Sequence, residues 1–356
     1  DINDYNIISP QIGKGSFGIV HLVENSKTHK KYAAKVKIKK AKSIIDDFLL
    51  EIQFYKKFQF PTILKLHGYS MKNFKQEKSP VMMLEYMPKR TLQELFENFR
   101  KNPESKREIQ SKIFVIIIGI IKAIEYLHSK GIVHRDLKPS NILLDENYYV
   151  RVSYFRSSII YSEKNQWKKE KDKKVGTPLY MAPEIFLDKD PYSYKVDVYS
   201  FSMIAYELMT GNEPFYNKKY ENPKKLIRDV INGVRPDLSN IPDDEIQAFF
   251  QRCWSSDPSE RPSFSEILSK FESNRFKLFL KMDENEYNAF TYWCCDYIED
   301  SKKNISYLKK ASSKGDIKAM IDYAIRLYNG YGVPVNRDKS SQLLKKAAES
   351  GDIEGM

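Results

Sequence analysis

Between residues 5 and 38 apolar and polar positions alternate with the period of half-buried strands, interrupted once by "GKGSFG" at 13–18. The clearest strand in this stretch is "KYAAKVKI". The period then changes. Over 43–58, Ile44, Phe48, Ile52 and Tyr55 fall on one helical stripe, with Glu51 beside it. Two more strand-like runs follow, "ILKLHGYS" (63–70) and "PVMMLEYM" (80–87). Beyond Pro88 helical spacing dominates, over 91–100, 108–129, 194–210, 243–254 and 263–274. A strand-rich front and a helical back predict an α+β architecture of two lobes with a cleft between them. The most apolar stretch, "IFVIIIGII" (113–121), falls short of the roughly 20 residues that span a bilayer, so it reads as a buried helix.

The last part of the chain has a different pattern. "LKKASSKGDIKAM" (308–320) and "LLKKAAESGDIEGM" (343–356) align with Leu308 over Leu344, an offset of 36 residues. Alanine-rich helices at such a period predict a short α-solenoid of helical hairpins over 305–356. "YNGYGVPVNRD" (328–338) reads as the turn between two helices, and 275–304 as a helical connecting segment. The second copy breaks off at Met356 partway through a unit, as a piece of a longer protein would. A hairpin repeat cannot bury its apolar face alone, so Tyr307, Leu308, Tyr323, Leu327 and Leu344 are expected to pack inward. The aromatic segment 287–298 is the expected packing surface between this tail and the helices before it.

Composition narrows the function only a little. The chain has 356 residues, 41% hydrophobic, enough for one large domain with an appendage. No secretory pattern stands at its N-terminus. Cys253, Cys294 and Cys295 show neither disulfide nor metal spacing, which fits a reducing, cytoplasmic compartment. The net charge is +12, but the basic residues are scattered apart from "KVKIKKAK" (35–42) and "KKEKDKK" (168–174). Solvated faces account for both runs, so nucleic acid is an unfavoured partner and a membrane is not expected.

Chemistry enters with "IGKGSFGIV". A lone glycine-rich loop is weak support, but this one lies between two strands, which argues against a strand-to-helix dinucleotide site. Glycines let backbone N–H groups approach phosphates closely. Lys35 ends the "AAK" strand, and Glu51 on the next helix supplies a counter-charge. Taken singly, both would be surface charges. "VHRDLKPSN" adds Asp136 to accept a proton from a hydroxyl, Lys138 to neutralise a moving phosphoryl group and Asn141 to hold a metal ion. "GTPLYMAPE" (176–184), "DVYSFSMIAYELMTG" (197–211) and "CWSSDPSERPSFSEIL" (253–268) follow in order.

Together these motifs resemble a eukaryotic protein kinase domain over roughly 5–274. The resemblance implies a two-lobed kinase fold, with an N-lobe of about 1–87 and a C-lobe of about 88–274. By resemblance, Ile12, Gly13, Lys14, Gly15, Ser16 and Gly18 form the loop over the ATP phosphates. Val20, Ala33 and Leu143 look like the apolar sandwich around adenine, Leu84 like the gatekeeper, and the backbone of Glu85 and Met87 like the hinge. Asp197 looks like the residue that pins the catalytic loop, and Glu184 with Arg261 like the buried ion pair of the C-lobe. "KPSN" with the "CW…DP…RPSF" ending resembles the tyrosine-kinase-like serine/threonine group. The units of 36 residues resemble Sel-one-like repeats, which implies protein partners.

One departure cuts across this pattern. Where the family carries a metal-binding aspartate followed by phenylalanine and glycine, this chain has Tyr154, Phe155 and Arg156. A phenol with a reference pKa of about 10 is neutral at pH 7 and a poor ligand for magnesium. Between Asp145 and Gly176 the sole aspartate is Asp172, deep in the lysine run, which leaves Asn141 as the only expected metal ligand. Each 1.4 kcal/mol is about tenfold in rate, so losing that ligand slows transfer by roughly a thousandfold or more. Phe155 remains, and with it the apolar column to His134 and Tyr55. The expectation is therefore a pseudokinase with vestigial Asp136 and Lys138, binding ATP weakly and without dependence on Mg²⁺, coupled to a protein-binding helical repeat. The alternative is an active serine/threonine kinase using Asn141 alone for its metal.

Overall fold

The computed structural model describes residues 2–15, 18–37, 42–160, 177–187, 193–218, 220, 222–295, 302–329 and 333–349. Five strands, β1 (Tyr5–Gly15), β2 (Gly18–Asn25), β3 (Lys31–Lys37), β4 (Leu66–Ser70) and β5 (Val81–Glu85), form one antiparallel sheet in the order β1-β2-β3-β5-β4. The alternation along β3 sets its two faces. Ala34 and Val36 join Val23, Val81 and Met83 in one core cluster, while Ala33, Lys35 and Lys37 take the other face. Helix α1 (Lys42–Lys57) buries Phe48, Ile52 and Tyr55 as its stripe predicts, and the Ile44 side chain lies outside the described ones.

The helical part comprises α2 (Leu92–Lys101), α3 (Glu104–Glu108), α4 (Gln110–Ser129), α5 (Pro183–Phe186), α6 (Lys195–Thr210), α7 (Pro223–Ile231), α8 (Asp244–Cys253) and α9 (Phe264–Phe271). The helix expected over 108–129 starts two residues later, because Ile109 (φ −109°, ψ 18°) breaks it from α3. Ile113 to Ile118 and Ile120 to Ile121 are fully buried, as the apolar run requires. Helix α7 adds to the expected helices, although Leu226, Ile227, Val230 and Ile231 are spaced for one helical face and its start is also written locally. The Asn222 side chain accepts from the Lys224 N–H, and Pro223 occupies the first turn. Two short pairs, β6 (Ile132–Val133) with β9 (Ile159–Ile160) and β7 (Ile142–Leu144) with β8 (Val150–Val152), carry the loops of the candidate site.

The chain divides into two compact units, Asp1–Ile109 with Ile116–Lys277, and Gln110–Val115 with Leu278–Met356. After α10 (Asn274–Phe279), the second unit contains α11 (Glu284–Cys295), α12 (Lys302–Ser313), α13 (Ile317–Asn329) and α14 (Arg337–Glu349). Within that unit Phe114 meets Tyr287 edge-on at 5.4 Å, and Lys112 pairs with Glu286. Helices α12 and α13 turn on Gly315, whose φ of +98° suits glycine, and close over Leu308, Ala311, Ala319, Tyr323 and Leu327. The Tyr307 side chain falls outside the described ones.

Leu344 departs from expectation. It is 41% exposed, whereas its repeat equivalent Leu308 is fully buried, and Leu343 packs against the cluster instead. Leu308 is covered by α13, and among the described residues no helix follows α14 to do the same. Among those residues, no helix is long and apolar enough to cross a membrane.

Candidate functional site

The register of the sheet brings the first charged group into place. Lys35 on β3 lies between Val20 on β2 and Met82 on β5, and its Nζ reaches Glu51 Oε1 of α1 at 2.8 Å. Glu51 is buried and takes a second cation, Lys37, at 3.5 Å. Burial alone would raise the Glu51 carboxyl, but the two lysines outweigh it and hold the group below its ordinary value. Burial lowers the Lys37 ammonium, and Glu51 opposes that effect. Two residues apart on one strand, both lysines face the same carboxylate.

The loop after β6 is fixed by buried hydrogen bonds. Asp197 of α6 accepts from the backbone N–H groups of His134 (2.8 Å) and Arg135 (2.9 Å), and its Oδ2 lies 2.9 Å from His128 Nε2. Burial would raise the Asp197 carboxyl, but His128 and these donors together hold it below its ordinary value. The bonds hold Arg135 at φ +63°, a left-handed conformation that costs a non-glycine residue about 1 kcal/mol or more. Asp136, almost fully buried, pairs with Lys138 at 3.0 Å and accepts from Asn141 Nδ2 at 3.0 Å. The same Nδ2 donates to the Asp136 carbonyl at 2.7 Å. His134 has its pKa lowered by burial, and its Nε2 donates to the Ser153 carbonyl at 3.1 Å.

Residues 153–156 complete the arrangement. Ser153 donates through its N–H (2.9 Å) and Oγ (3.0 Å) to the Asn141 carbonyl, so residue 154 follows directly beside Asn141. Tyr154 is left-handed at φ +69°, and its N–H donates to Tyr55 Oη at 3.3 Å. Its ring lies 5.6 Å from Lys35 Nζ, a cation–π contact. Burial raises the phenol above its ordinary value near 10, so it is neutral at pH 7. Phe155 stacks on Phe54 at 4.1 Å and meets Tyr55 and His134 edge-on at 5.3 and 5.4 Å. The apolar column read from the sequence is assembled, with Phe54 as an additional member.

These groups border a cavity of about 260 Å³. Ile12, Gly13, Val20, Ala33, Lys35, Leu84, Glu85, Met87, Asn141 and Leu143 line it together with Tyr154. Glu51 stands behind Lys35, while Asp136 and Lys138 are held beside Asn141. Lys14, Gly15 and Gly18 lie at the end of the β1–β2 hairpin, Lys14 and Gly18 outside the lining, and Ser16 lies outside the described residues. Gly18 has a reason of its own to be glycine. A Cβ there would stand 2.1 Å from the Val36 carbonyl oxygen, so close packing of β2 on β3 demands it. The Glu85 side chain is also spent on structure, accepting from the Lys65 N–H at 2.6 Å and from Arg151 Nε at 3.2 Å. Sequence reading overlooked Leu64, Tyr86, Arg90, Thr91 and Glu94 on the cavity wall.

An aromatic base fits this apolar slot between Val20, Ala33, Leu84 and Leu143, with Lys35 available to a phosphate. A divalent metal fits poorly. Magnesium takes carboxylate oxygens, but the residue after Ser153 offers a neutral phenol, and the carboxylate in contact with Asn141, Asp136, is already paired with Lys138. The Glu184–Arg261 pair is bidentate at 2.7 and 2.9 Å, and Arg261 is buried.

The sheet with its docked helix, the pinned loop and the cavity between them define a protein kinase domain. The sequence profile of that domain matches residues 7–271, and the chain belongs to the protein kinase family. Among its relatives is a protein of Acanthamoeba polyphaga mimivirus, named provisionally as a serine/threonine-protein kinase/receptor, with 33% identity over 266 residues. That match covers 72% of this chain and 15% of the viral protein. The dual specificity protein kinase shkB of Dictyostelium discoideum is 32% identical over 264 residues, covering 72% of this chain and 38% of the relative. A protein kinase and PP2C-like domain-containing protein of Arabidopsis thaliana is 29% identical over 299 residues, covering 76% and 44%. The chain thus spans between 15% and 44% of the length of these relatives.

Proposed function

We propose that this protein kinase domain is a pseudokinase of the tyrosine-kinase-like serine/threonine group, a binding module that transfers little or no phosphate. The observation that carries the reading is Tyr154. A neutral phenol stands beside Asn141, where the family's chemistry needs a carboxylate on magnesium, and its ring lies against Lys35. The remaining machinery is in order, with Lys35 on Glu51 and with Asp136, Lys138 and Asn141 in mutual contact. That order supports weak ATP binding without dependence on divalent metal. It also favours the second reading, an active serine/threonine kinase that uses Asn141 alone for metal, and the mimivirus relative carries the name of a serine/threonine kinase. On the first reading, residues 305–356 are Sel-one-like repeats that bind a protein partner in the cytoplasm.

Calorimetric titration of the whole chain with ATP, with and without Mg²⁺ or Mn²⁺, separates the two. The pseudokinase reading expects weak binding of equal strength in all three conditions. A tenfold or greater tightening by either metal means that another residue has replaced the missing ligand, and it overturns the reading.

A further inference from the structure

Arg156 occupies the place of the family's glycine, and it is absent from the cavity lining. Its guanidinium pairs with Asp47 of α1 at 2.5 Å, with 31% and 30% of the two side chains exposed, and its side chain also bonds the Tyr154 phenol. Asp47 and Glu51 are four residues apart, neighbours on successive turns of α1. Glu51 ties the helix to β3 through Lys35 and Lys37, and Asp47 ties the preceding turn to the segment after β8. Phe155 adds a contact one turn further along α1, stacking on Phe54 and meeting Tyr55. Glycine at 156 would supply no such contact and would leave the backbone free to swing.

We propose that Arg156 and Asp47 form a latch that keeps α1 docked on residues 154–156 whether or not a nucleotide is bound. The latch is independent of catalysis and would hold in an active enzyme as well, so it stands apart from the pseudokinase reading. Lys35 can then contact a ligand without the helix depending on it, because Lys37 and Arg156 remain on the two carboxylates of α1.

The test is amide hydrogen exchange over residues 45–57 of the whole chain, with and without saturating ATP. Wild-type exchange should be the same in both. Arg156→Gln and Asp47→Asn should each accelerate it about two- to fivefold, the range for a partly exposed ion pair. The exchanged pair, Asp47→Arg with Arg156→Asp, should restore most of the protection, which guards against a general loss of folding. Slowing of wild-type exchange by ATP overturns the proposal. So do unchanged exchange in the single variants and a swapped pair no better than the singles.

Discussion

Replacing Tyr154 by aspartate returns a carboxylate to the position beside Asn141, where the Ser153–Asn141 backbone contacts already fix the geometry. The substitution removes the ring from Lys35, a contact worth about 0.5–1 kcal/mol. Part of that cost is offset, because aspartate tolerates the left-handed φ of +69° better than tyrosine. If the missing carboxylate is what uncouples the site from magnesium, Tyr154→Asp should bind ATP at least tenfold more tightly with Mg²⁺ than without. Tenfold is about 1.4 kcal/mol, which at saturating ATP adds fully to stability. For a domain of this size that corresponds to a magnesium-dependent rise in Tm of about 2–3 °C. Thermal unfolding of wild type and variant, with ATP and with or without Mg²⁺, reads the difference directly. A variant as indifferent to magnesium as wild type would refute the idea that residue 154 decides metal binding.

Three other outcomes follow from the buried groups and the sheet. Gly18→Ala should destabilise the domain by about 2 kcal/mol or more in chemical denaturation, because its Cβ would collide with the Val36 carbonyl, whereas Gly13→Ala, with neighbours at 3.7 Å, should cost about 1 kcal/mol or less. Glu51→Gln leaves Lys37 buried without its anion and should cost about 3–5 kcal/mol at pH 7. The Glu51 carboxyl sits below its ordinary value in the folded state, so this difference should shrink as pH falls below 4.5. Glu207, which takes hydrogen bonds from Arg100 and Tyr180, is pushed up to about 7 by burial. Stability should therefore decline as pH rises from 4.5 to 7, by on the order of 3 kcal/mol, and Glu207→Gln should flatten that decline in denaturation measured across the window.

The parts of the site that were legible in the sequence are those written as contiguous strings. "AAK", "HRDLKPSN" and "YFR" each name several neighbours at once, and the period switch at residue 43 places Glu51 on a helix facing β3. Lys37 was missed although its signal is simple, since a strand sends residues two apart to the same side and Lys35 had already been placed in the cleft. The Arg156–Asp47 pair was harder. Its partners lie in different elements more than a hundred positions apart, and only the i, i+4 relation of Asp47 to Glu51 hints that both carboxylates serve one face. Helix α7 was legible on both counts, since Leu226 and Val230 stand four apart on its buried face and Asn222 with Pro223 marks its start, but at nine residues it is a short run between loops. Leu344 shows the opposite error. A repeat register predicts burial only where a following helix covers the face, as α13 covers Leu308.

The proposed pseudokinase keeps the body of a kinase without its phosphotransfer. The most direct test is incorporation of labelled phosphate from ATP, into the protein itself and into a generic basic protein, in Mg²⁺ and in Mn²⁺. Wild type is compared with Asp136→Asn, which removes the base that any residual transfer would need. The two should be indistinguishable in both metals. Incorporation by wild type that disappears in Asp136→Asn would contradict the pseudokinase reading, and would make Asn141 a sufficient metal ligand in this protein.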